Sequence, residues 1–381
     1  MSGLNDTPKA NRIHIAFFGL RNAGKSTLVN AFAEQEIAIV SDVAGTTTDP
    51  VSKTMEIPPL GPCVLTDTAG LDDVGELGAM RVRKSFAVLA SADIAVWVAG
   101  DAADGDSRET EAYRLFSVEC GKHGVAVLEY RRDEDIEDFR KRVASVKVVE
   151  RTKPLVGDLV NEGDAVLLVC PQDASAPKGR LILPQQQVIR EILDAGGMAQ
   201  ICQPRFLLEN KETCRSCKFA IADSQAFAEV DASLPYEMPL TSFSILFARA
   251  KGELDVYCKG LEALKTLEDG DAVLIAEGCT HHRQCGDIGT VKLPKAISRM
   301  TGKNLEFRFC SGGDFPFEDC RPKLVVQCGG CMLTRREMLR RMAVAQEAGV
   351  PITNYGLVLA SANGIEADPV TCMVRRSPKK A

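Results

Sequence analysis

Short apolar runs alternate with amphipathic stretches along most of the chain. The runs have the length and composition of buried strands, and the stretches carry apolar residues three and four positions apart, as helices do. This alternation predicts an α/β fold in which helices cover parallel sheets. The predicted strands are residues 12–18, 63–66, 125–128, 165–169, 219–224, 272–276 and 324–326. The predicted helices include residues 184–195, 241–252, 261–267 and 334–347.

The 381 residues are enough for two or three domains. A charged stretch with Pro154 and Gly157 is typical of a linker. We therefore expect a phosphate-binding domain over residues 10–150, followed by two smaller α/β domains with parallel sheets over residues 155–235 and 236–381. The middle segment has no group of catalytic side chains, which favours a role in assembly.

Composition narrows the classes of function. The net charge of −6 disfavours broad nucleic-acid binding, which needs a basic face. No apolar run reaches the roughly 18 residues of a membrane span, and the polar residues 1–12 lack the apolar segment of a signal peptide. We therefore expect a cytoplasmic protein with neither a nucleic-acid nor a membrane partner. Its 14 cysteines should be reduced, buried or metal-bound rather than paired in disulfides.

The most specific motif follows the first strand directly. Residues 19–27 have the pattern GxxxxGK[ST], between an apolar strand and an amphipathic helix. In that context the backbone N–H groups of the loop and of the helix N-terminus bind phosphates. We expect Lys25 to reach the β- and γ-phosphates and Ser26 to ligate Mg²⁺. The expected nucleotide-binding residues of this loop are Gly19, Asn22, Ala23, Gly24, Lys25, Ser26 and Thr27.

Two further segments follow at suitable distances. Thr47 lies in the polar loop Gly-Thr-Thr-Thr-Asp and can reach Mg²⁺ when a γ-phosphate is present. In the segment Asp-Thr-Ala-Gly, Asp67 can hold Mg²⁺ through water, and the N–H of Gly70 can sense the γ-phosphate. With Lys25, these three residues form the expected catalytic set. The order of the three motifs resembles that of small GTPases.

Asn22 and the threonine-rich loop together resemble the potassium-activated GTPases related to TrmE and Era. The resemblance implies that Asn22 helps to bind K⁺, and the alternative is that it only stabilises the loop. Leu71 stands where Ras-like proteins carry a catalytic glutamine, and a leucine cannot orient water. Hydrolysis should therefore depend on the cation and be slow without help.

The guanine-reading motif is degenerate. Asn-Lys-x-Asp is expected after the strand at 125–128, and the sequence has Tyr130, Arg131, Arg132 and Asp133. Asp133 can accept hydrogen bonds from the N1 and N2 donors of guanine. The asparagine and the lysine are both replaced, so the choice between GTP and ATP stays open.

Four side chains in the last third of the chain have the chemistry of a metal site. Cys328 and Cys331 form a CxxC pair after one predicted strand, and Cys279 and His281 follow another. Both sets lie at the carboxyl ends of strands, where open α/β sheets place their sites, so we expect them to form one centre. The ligand types alone allow a Cys₃His zinc site as well as an iron–sulfur cluster.

Beyond these motifs, long stretches resemble the maturation GTPases of FeFe hydrogenase, the HydF family. The stretches are residues 176–180, 223–225, 241–249, 328–332 and 351–356. The resemblance implies a GTPase domain over 10–150, a dimerisation domain over 155–235 and an iron–sulfur cluster domain over 236–381. It also implies a homodimer that binds GTP and Mg²⁺.

The family resemblance further implies a 4Fe–4S cluster at Cys279, Cys328 and Cys331, with a labile fourth position. The implied role is that of a scaffold, which receives a di-iron precursor with CO and cyanide ligands from radical-SAM maturases and passes this cargo to FeFe hydrogenase. Slow GTP hydrolysis would regulate these contacts. Gln327 replaces the family's second histidine, so either His281 fills the fourth position or that position is open. The alternative is a TrmE- or Era-like regulatory GTPase with a structural zinc site.

Overall fold

The computed structural model describes residues 9–33, 51–72, 75–89, 91–100, 107–147, 153–171, 181–209, 216–278, 288–312 and 315–375. The chain divides into two compact units, Met1–Arg151 and Thr152–Ala381, each built around its own sheets. Three residues of the predicted sites, Thr47, Cys279 and His281, lie outside the described residues. No helix in these ranges is long and apolar enough to cross a membrane.

The first unit contains a five-stranded sheet with helices on both faces. Its strands are β1 (Ile13–Phe18), β2 (Val51–Ile57), β3 (Gly61–Asp67), β4 (Ile94–Val98) and β5 (Ala126–Tyr130). Its helices are α1 (Lys25–Phe32), α2 (Gly75–Leu89), α3 (Ser107–His123) and α4 (Ile136–Ala144). The strand order is β2-β3-β1-β4-β5, and all neighbours are parallel except β2, which lies antiparallel to β3. The three strands predicted in this unit are confirmed.

Successive side chains of β1 enter two separate cores, one on each face of the sheet. The ring of Phe17 packs against Phe32 of α1, with centroids 6.1 Å apart. The ring of Phe18 points the other way and lies 5.2 Å from Phe116 of α3. Burying one such side chain stabilises the fold by about 1.5–3 kcal/mol, so the end of β1 is firmly held where the phosphate-binding loop begins.

The second unit contains two sheets. The strands are β6 (Ala165–Val169), β7 (Met198–Cys202), β8 (Phe219–Ala222), β9 (Leu240–Ser242), β10 (Ala272–Ala276), β11 (Glu306–Cys310), β12 (Leu324–Gln327), β13 (Ile352–Asn354), β14 (Glu366–Ala367) and β15 (Val374–Arg375). The helices are α5 (Leu183–Asp194), α6 (Pro204–Glu209), α7 (Phe227–Ser233), α8 (Phe243–Lys251), α9 (Leu254–Leu261), α10 (Leu293–Thr301), α11 (Phe317–Cys320), α12 (Arg335–Glu347) and α13 (Tyr355–Ser361).

The two sheets of this unit differ in strand direction. In the described ranges, one has the order β11-β10-β12-β13 and is parallel throughout. The other has the order β14-β15-β9-β8-β6-β7, in which only the short strands β14 and β15 are antiparallel to their neighbours. Strands from residues 240–242 and 366–375 therefore complete the sheet of the middle segment. The predicted boundary between residues 235 and 236 stays a prediction.

Helix α8 lies at the centre of the second unit. Ser242 caps it by accepting a hydrogen bond from the N–H of Ile245 at 3.2 Å, as the predicted start of this helix requires. Ile245 and Phe247 are buried in one core with residues of both sheets. Seven of the nine residues of α8 are buried, so its neighbours hold the helix in place together with its last residue, Lys251.

The helix predicted over residues 261–267 is wrong. The described helix, α9, ends at Leu261, and a 3₁₀ segment over Glu262–Thr266 follows it. The buried positions Leu254 and Tyr257, three residues apart, form the inner face of α9 and were not used in the prediction.

Candidate functional site

The loop between β1 and α1 has the backbone geometry of a phosphate-binding loop. Gly19 and Asn22 have φ angles of 154° and 62°. A Cβ atom at Gly19 would lie 2.6 Å from the carbonyl oxygen of Val98, so only glycine lets the loop pass this strand. Lys25 opens α1, is only 7% exposed, and donates a hydrogen bond to the carbonyl oxygen of Leu20 at 2.7 Å. Its ammonium group is thus held against the loop that it is expected to serve.

Ser26 and Asp67 form the described part of the predicted Mg²⁺ site. The hydroxyl of Ser26 donates to Oδ2 of Asp67 at 2.5 Å. Oδ1 of Asp67 is buried, and no hydrogen bond from the described residues reaches it. Burial raises the pKa of Asp67, although the Ser26 hydrogen bond and the charge of Lys25 oppose this. A hydroxyl beside a carboxylate with an unsatisfied oxygen fits Mg²⁺, which prefers oxygen ligands.

Gly70 lies against the phosphate-binding loop. The N–H of Leu71 donates to the carbonyl oxygen of Gly19 at 3.2 Å. A Cβ atom at Gly70 would lie 2.7 Å from the backbone nitrogen of Arg21, so glycine is required for this approach. Thr68 fixes the same segment by donating to the carbonyl oxygen of Phe17 at 2.7 Å. The structure therefore brings Lys25, Ser26, Asp67 and Gly70 together.

The degenerate base-reading motif also lies at this loop. The ring of Tyr130, which stands at the position of the expected asparagine, packs on Phe139 of α4 with ring centroids 4.8 Å apart. Arg132 donates from Nη2 to the carbonyl oxygen of Asn22 at 3.2 Å. Sequence reasoning missed this residue, because it considered only Arg131 for the lysine position. Asp133 follows it and is exposed.

The CxxC loop lies at the carboxyl edge of the parallel sheet, as predicted. Ala276 of β10 and Gln327 of β12 are paired, so the two chain segments leave the sheet side by side. Sγ of Cys328 accepts hydrogen bonds from the N–H groups of Gly278 at 3.0 Å and Gly330 at 3.4 Å. The segment that leads to Cys279 therefore contacts Cys328 at Gly278, the residue just before the predicted ligand Cys279. Cys279 and His281 themselves lie outside the described residues.

The two described cysteines of this site, Cys328 and Cys331, are half-buried, and both have a raised pKa. Burial raises the pKa of Cys328, although the N–H groups of Gly330 and Gly278 and the charge of Arg341 oppose this. Burial and the neighbouring Cys328 raise the pKa of Cys331 to about 11. Without a metal both thiols are therefore neutral at pH 7, and metal binding would release their protons. N–H groups directed at the Cys328 sulfur fit a thiolate that ligates a metal or a cluster.

Lys251 fixes the CxxC loop through hydrogen bonds to backbone carbonyl oxygens. It is only 6% exposed, and its Nζ donates to the carbonyl oxygens of Leu333 at 2.7 Å, Gly330 at 3.0 Å and Cys331 at 3.3 Å. Burial lowers the pKa of Lys251 to about 8, while Cys331 and Cys328 act in the opposite direction. Sequence reasoning missed this residue, and its signal was a lysine at the C-terminal end of a helix rich in apolar residues.

A buried polar network includes Gln327, the last residue of β12. Gln327 and Arg341 are both 0% exposed, and Arg341 donates from Nη1 to Oε1 of Gln327 at 3.4 Å. Nε of Arg341 donates to Oε1 of Glu337 at 2.8 Å. Burial raises the pKa of Glu337, but Arg340 and Arg341 together hold it below its usual value. In the described ranges, no group of three or more His, Cys, Asp or Glu side chains is placed to hold a metal ion.

Three family models match the chain. The hydrogen maturase F dimerization domain matches residues 155–252, and the hydrogen maturase F tetramerization domain matches residues 255–368. Together these two models cover more than half of the chain. The model of the 50S ribosome-binding GTPase matches residues 14–128, which hold the phosphate-binding loop.

Curated relatives match part of the chain. A tRNA modification GTPase MnmE of Ralstonia nicotianae is 41% identical over 93 residues, which are 24% of this chain and 19% of the relative. An MnmE of Thermoanaerobacter sp. is 40% identical over 116 residues, which are 30% of this chain and 24% of the relative. The chain thus spans less than a quarter of the length of either relative.

Two solved structures are similar in part. One is an Era variant of Aquifex aeolicus bound to GDP.AlF4-, which is 15% identical to this chain and has a TM-score of 0.26. The match covers 78% of this chain and 92% of the Era chain. The other is the G domain of the T. maritima FeoB iron transporter, which is 17% identical and has a TM-score of 0.24. The match covers 35% of this chain and 83% of the FeoB chain. The GTPase fold of the first unit therefore rests on the family model and on the geometry of its phosphate-binding loop.

Proposed function

Because this chain belongs to the hydrogen maturase F family of GTPases, we propose that it is a scaffold which holds a 4Fe–4S cluster and delivers a di-iron precursor to FeFe hydrogenase. The observation that carries this proposal is the half-buried Cys328 thiol, which accepts hydrogen bonds from two backbone N–H groups at the carboxyl edge of a parallel sheet. Two such donors stabilise a thiolate and prepare it for a cluster.

Cys328 and Cys331 would hold the cluster, with Cys279 as the third proposed thiolate and His281 as a proposed fourth ligand. When bound, such a cluster offers one exchangeable iron position at which a di-iron precursor could be held as cargo. The ammonium group of Lys251 offsets part of the negative charge of the thiolates and fixes their loop.

The test of this function is anaerobic purification, followed by iron, sulfide and zinc analysis and by EPR of the reduced protein. We expect iron and sulfide in equal amounts and the signal of a 4Fe–4S cluster. One zinc per chain without iron would instead support a regulatory GTPase with a structural zinc site, because the same ligand types bind zinc.

In the first unit, we propose slow GTP hydrolysis. Lys25 would bind the β- and γ-phosphates, and Ser26 with Asp67 would hold Mg²⁺, joined by Thr47 when the γ-phosphate is present. Mg²⁺ when bound neutralises charge that develops on the phosphates. Loss of the γ-phosphate would release the segments of Thr47 and Gly70 and so change the affinity for partner proteins. The proposed partners are FeFe hydrogenase and the radical-SAM maturases.

We propose that Asn22 contributes to a K⁺ site. Asn22→Gly should abolish the stimulation of hydrolysis by K⁺ over Na⁺ while it preserves nucleotide binding, because glycine adopts the φ of 62° at no steric cost. Steady-state hydrolysis in matched KCl and NaCl would measure the effect. The neighbouring exposed Arg21→Ala serves as a control, since the described hydrogen bond of Arg21 runs from its backbone N–H to Asp72 and does not use the side chain. Equal stimulation in Asn22→Gly and the wild type would leave Asn22 with a structural role only.

We propose that base selection rests on Asp133. Asp133→Asn should reduce the preference for GTP over ATP in kcat/KM by about 10-fold or more, because hydrogen bonds to a charged acceptor contribute about 1.5–3 kcal/mol. Hydrolysis of GTP and ATP measured side by side tests this. Asp138→Asn is a matched control, because Asp138 is an exposed carboxylate on α4 that pairs with Lys141. Equal turnover of both nucleotides by the wild-type chain would contradict a GTP-specific site.

We propose that the homodimer forms along β7. This strand is the edge of its sheet among the described residues, and it exposes 56% of Met198 and 48% of Ile201. Leu193 on the adjoining helix α5 is 58% exposed. Apolar side chains beside an unpaired strand edge favour pairing with a second copy. A monomeric mass in light scattering would contradict this proposal.

A further inference from the structure

We infer that Gln327 is a hydrogen-bond donor to the Cys328 sulfur, held in that orientation by Arg341, and is not the fourth ligand of the cluster. The inference rests on the proposed cluster site. It gives a role to Gln327, which stands where the family has its second histidine. Gln327 would thus be a positioning residue that sets the properties of one ligating sulfur.

The orientation of the Gln327 amide follows from its partner. Nη1 of Arg341 lies 3.4 Å from one atom of the amide. A guanidinium group has donors only, so that atom must be the oxygen, Oε1. The NH₂ group therefore points to the other side, where Nε2 lies 4.0 Å from Sγ of Cys328. This is the long end of the range for an N–H···S hydrogen bond.

Arg341 cannot turn away from this position without breaking several contacts. It is 0% exposed, and it donates to Glu337 at 2.8 Å and to the carbonyl oxygen of Gly312 at 2.5 Å. Its guanidinium also lies 5.1 Å from the ring centroid of Phe315. The backbone of Gln327 is fixed as well, since its carbonyl oxygen accepts a hydrogen bond from Asn354 at 3.2 Å.

These contacts direct Oε1 of Gln327 toward Arg341, while Nε2 lies on the side of the Cys328 sulfur. To ligate iron beside that sulfur, Oε1 would have to turn away from Arg341 inside a site where neither residue reaches water. In its observed orientation the amide instead adds a third donor to a sulfur that already accepts from Gly278 and Gly330. Donors to the sulfurs raise the reduction potential of a cluster, because they stabilise the more negative, reduced form.

The test uses the full chain, reconstituted anaerobically with iron and sulfide, and compares Gln327→Leu and Gln327→Glu with the wild type. We expect each variant to bind the wild-type amount of iron and sulfide and to have a more negative midpoint potential in an EPR-monitored titration. The shift should be larger for Gln327→Glu, because its carboxylate keeps the shape and the Arg341 contact but adds negative charge near Cys328. Thr353→Val is the matched control: Thr353 is fully buried on β13, donates to the carbonyl oxygen of Tyr257, and should leave the potential unchanged.

Each outcome separates the inference from the function on which it rests. Loaded variants with the wild-type potential would overturn the donor role and leave the cluster proposal intact. A change of EPR g-values with a loss of cluster iron in Gln327→Leu, but not in Thr353→Val, would make Gln327 a ligand after all. A wild-type chain that takes up zinc and no iron would overturn both.

Discussion

Replacing Cys328 with serine should remove most of the cluster iron from anaerobically reconstituted protein. Serine is close to cysteine in size and keeps the N–H donors of Gly278 and Gly330 occupied, so the loop should remain folded. A hydroxyl, however, stays protonated at neutral pH, whereas it is the thiolate that ligates a metal. Iron and sulfide analysis and the EPR signal of the reduced protein measure the loss.

Cys258→Ala is the control for this substitution. Cys258 is a half-buried thiol on α9 in the same unit and was not predicted as a ligand. Its loss should leave the iron content at the wild-type value. If Cys328→Ser retained its full iron content, the CxxC loop would not be the site of the cluster. If both variants lost iron equally, the loss would reflect a general destabilisation of the unit.

The phosphate-binding loop could be predicted because its signals are local. A strand, a glycine-rich loop and a helix follow each other within 20 residues, and each side chain acts close to its position in the chain. The meeting of the two segments proposed to bind the metal was also predictable in outline. Neighbouring parallel strands place their carboxyl ends at one edge, and β10 and β12 are such neighbours.

The cations around both sites could not be predicted in this way. Lys251 reaches Gly330 across 79 residues, and Arg132 reaches Asn22 across 110 residues. Which residues these cations contact depends on how helices pack on sheets, and a sequence pattern carries little of that information. Arg341 is the clearest example of a cation that the sequence does not place. Several arginines on α12 indicate a solvated helix face, whereas Arg341 is fully buried.

Asp67→Asn should reduce Mg²⁺-dependent hydrolysis by about 100-fold or more and should also stabilise the protein in the absence of Mg²⁺ and nucleotide. The first effect follows because a preorganised charge that acts on the transition state is lost. The second follows because the carboxylate has a buried oxygen without a hydrogen bond from the described residues, and its pKa is raised by burial. Initial rates at several Mg²⁺ concentrations and thermal unfolding measure the two effects.

The pH dependence of unfolding tests whether the Asp67 carboxylate is the cause of the stability gain. Because burial raises the folded-state pKa of Asp67 above its ordinary value, its stabilising contribution is complete below that ordinary value and is lost as the pH rises through the folded-state pKa. Asparagine does not titrate, so the stability gain of Asp67→Asn should be absent at low pH and should grow toward neutrality. Asp93→Asn is the control, because Asp93 accepts a hydrogen bond from the N–H of His14 at 2.9 Å and lies outside the predicted catalytic set. It should lose stability and retain Mg²⁺-dependent hydrolysis, and the same pattern in Asp67→Asn would mean that Asp67 serves the fold and not the metal.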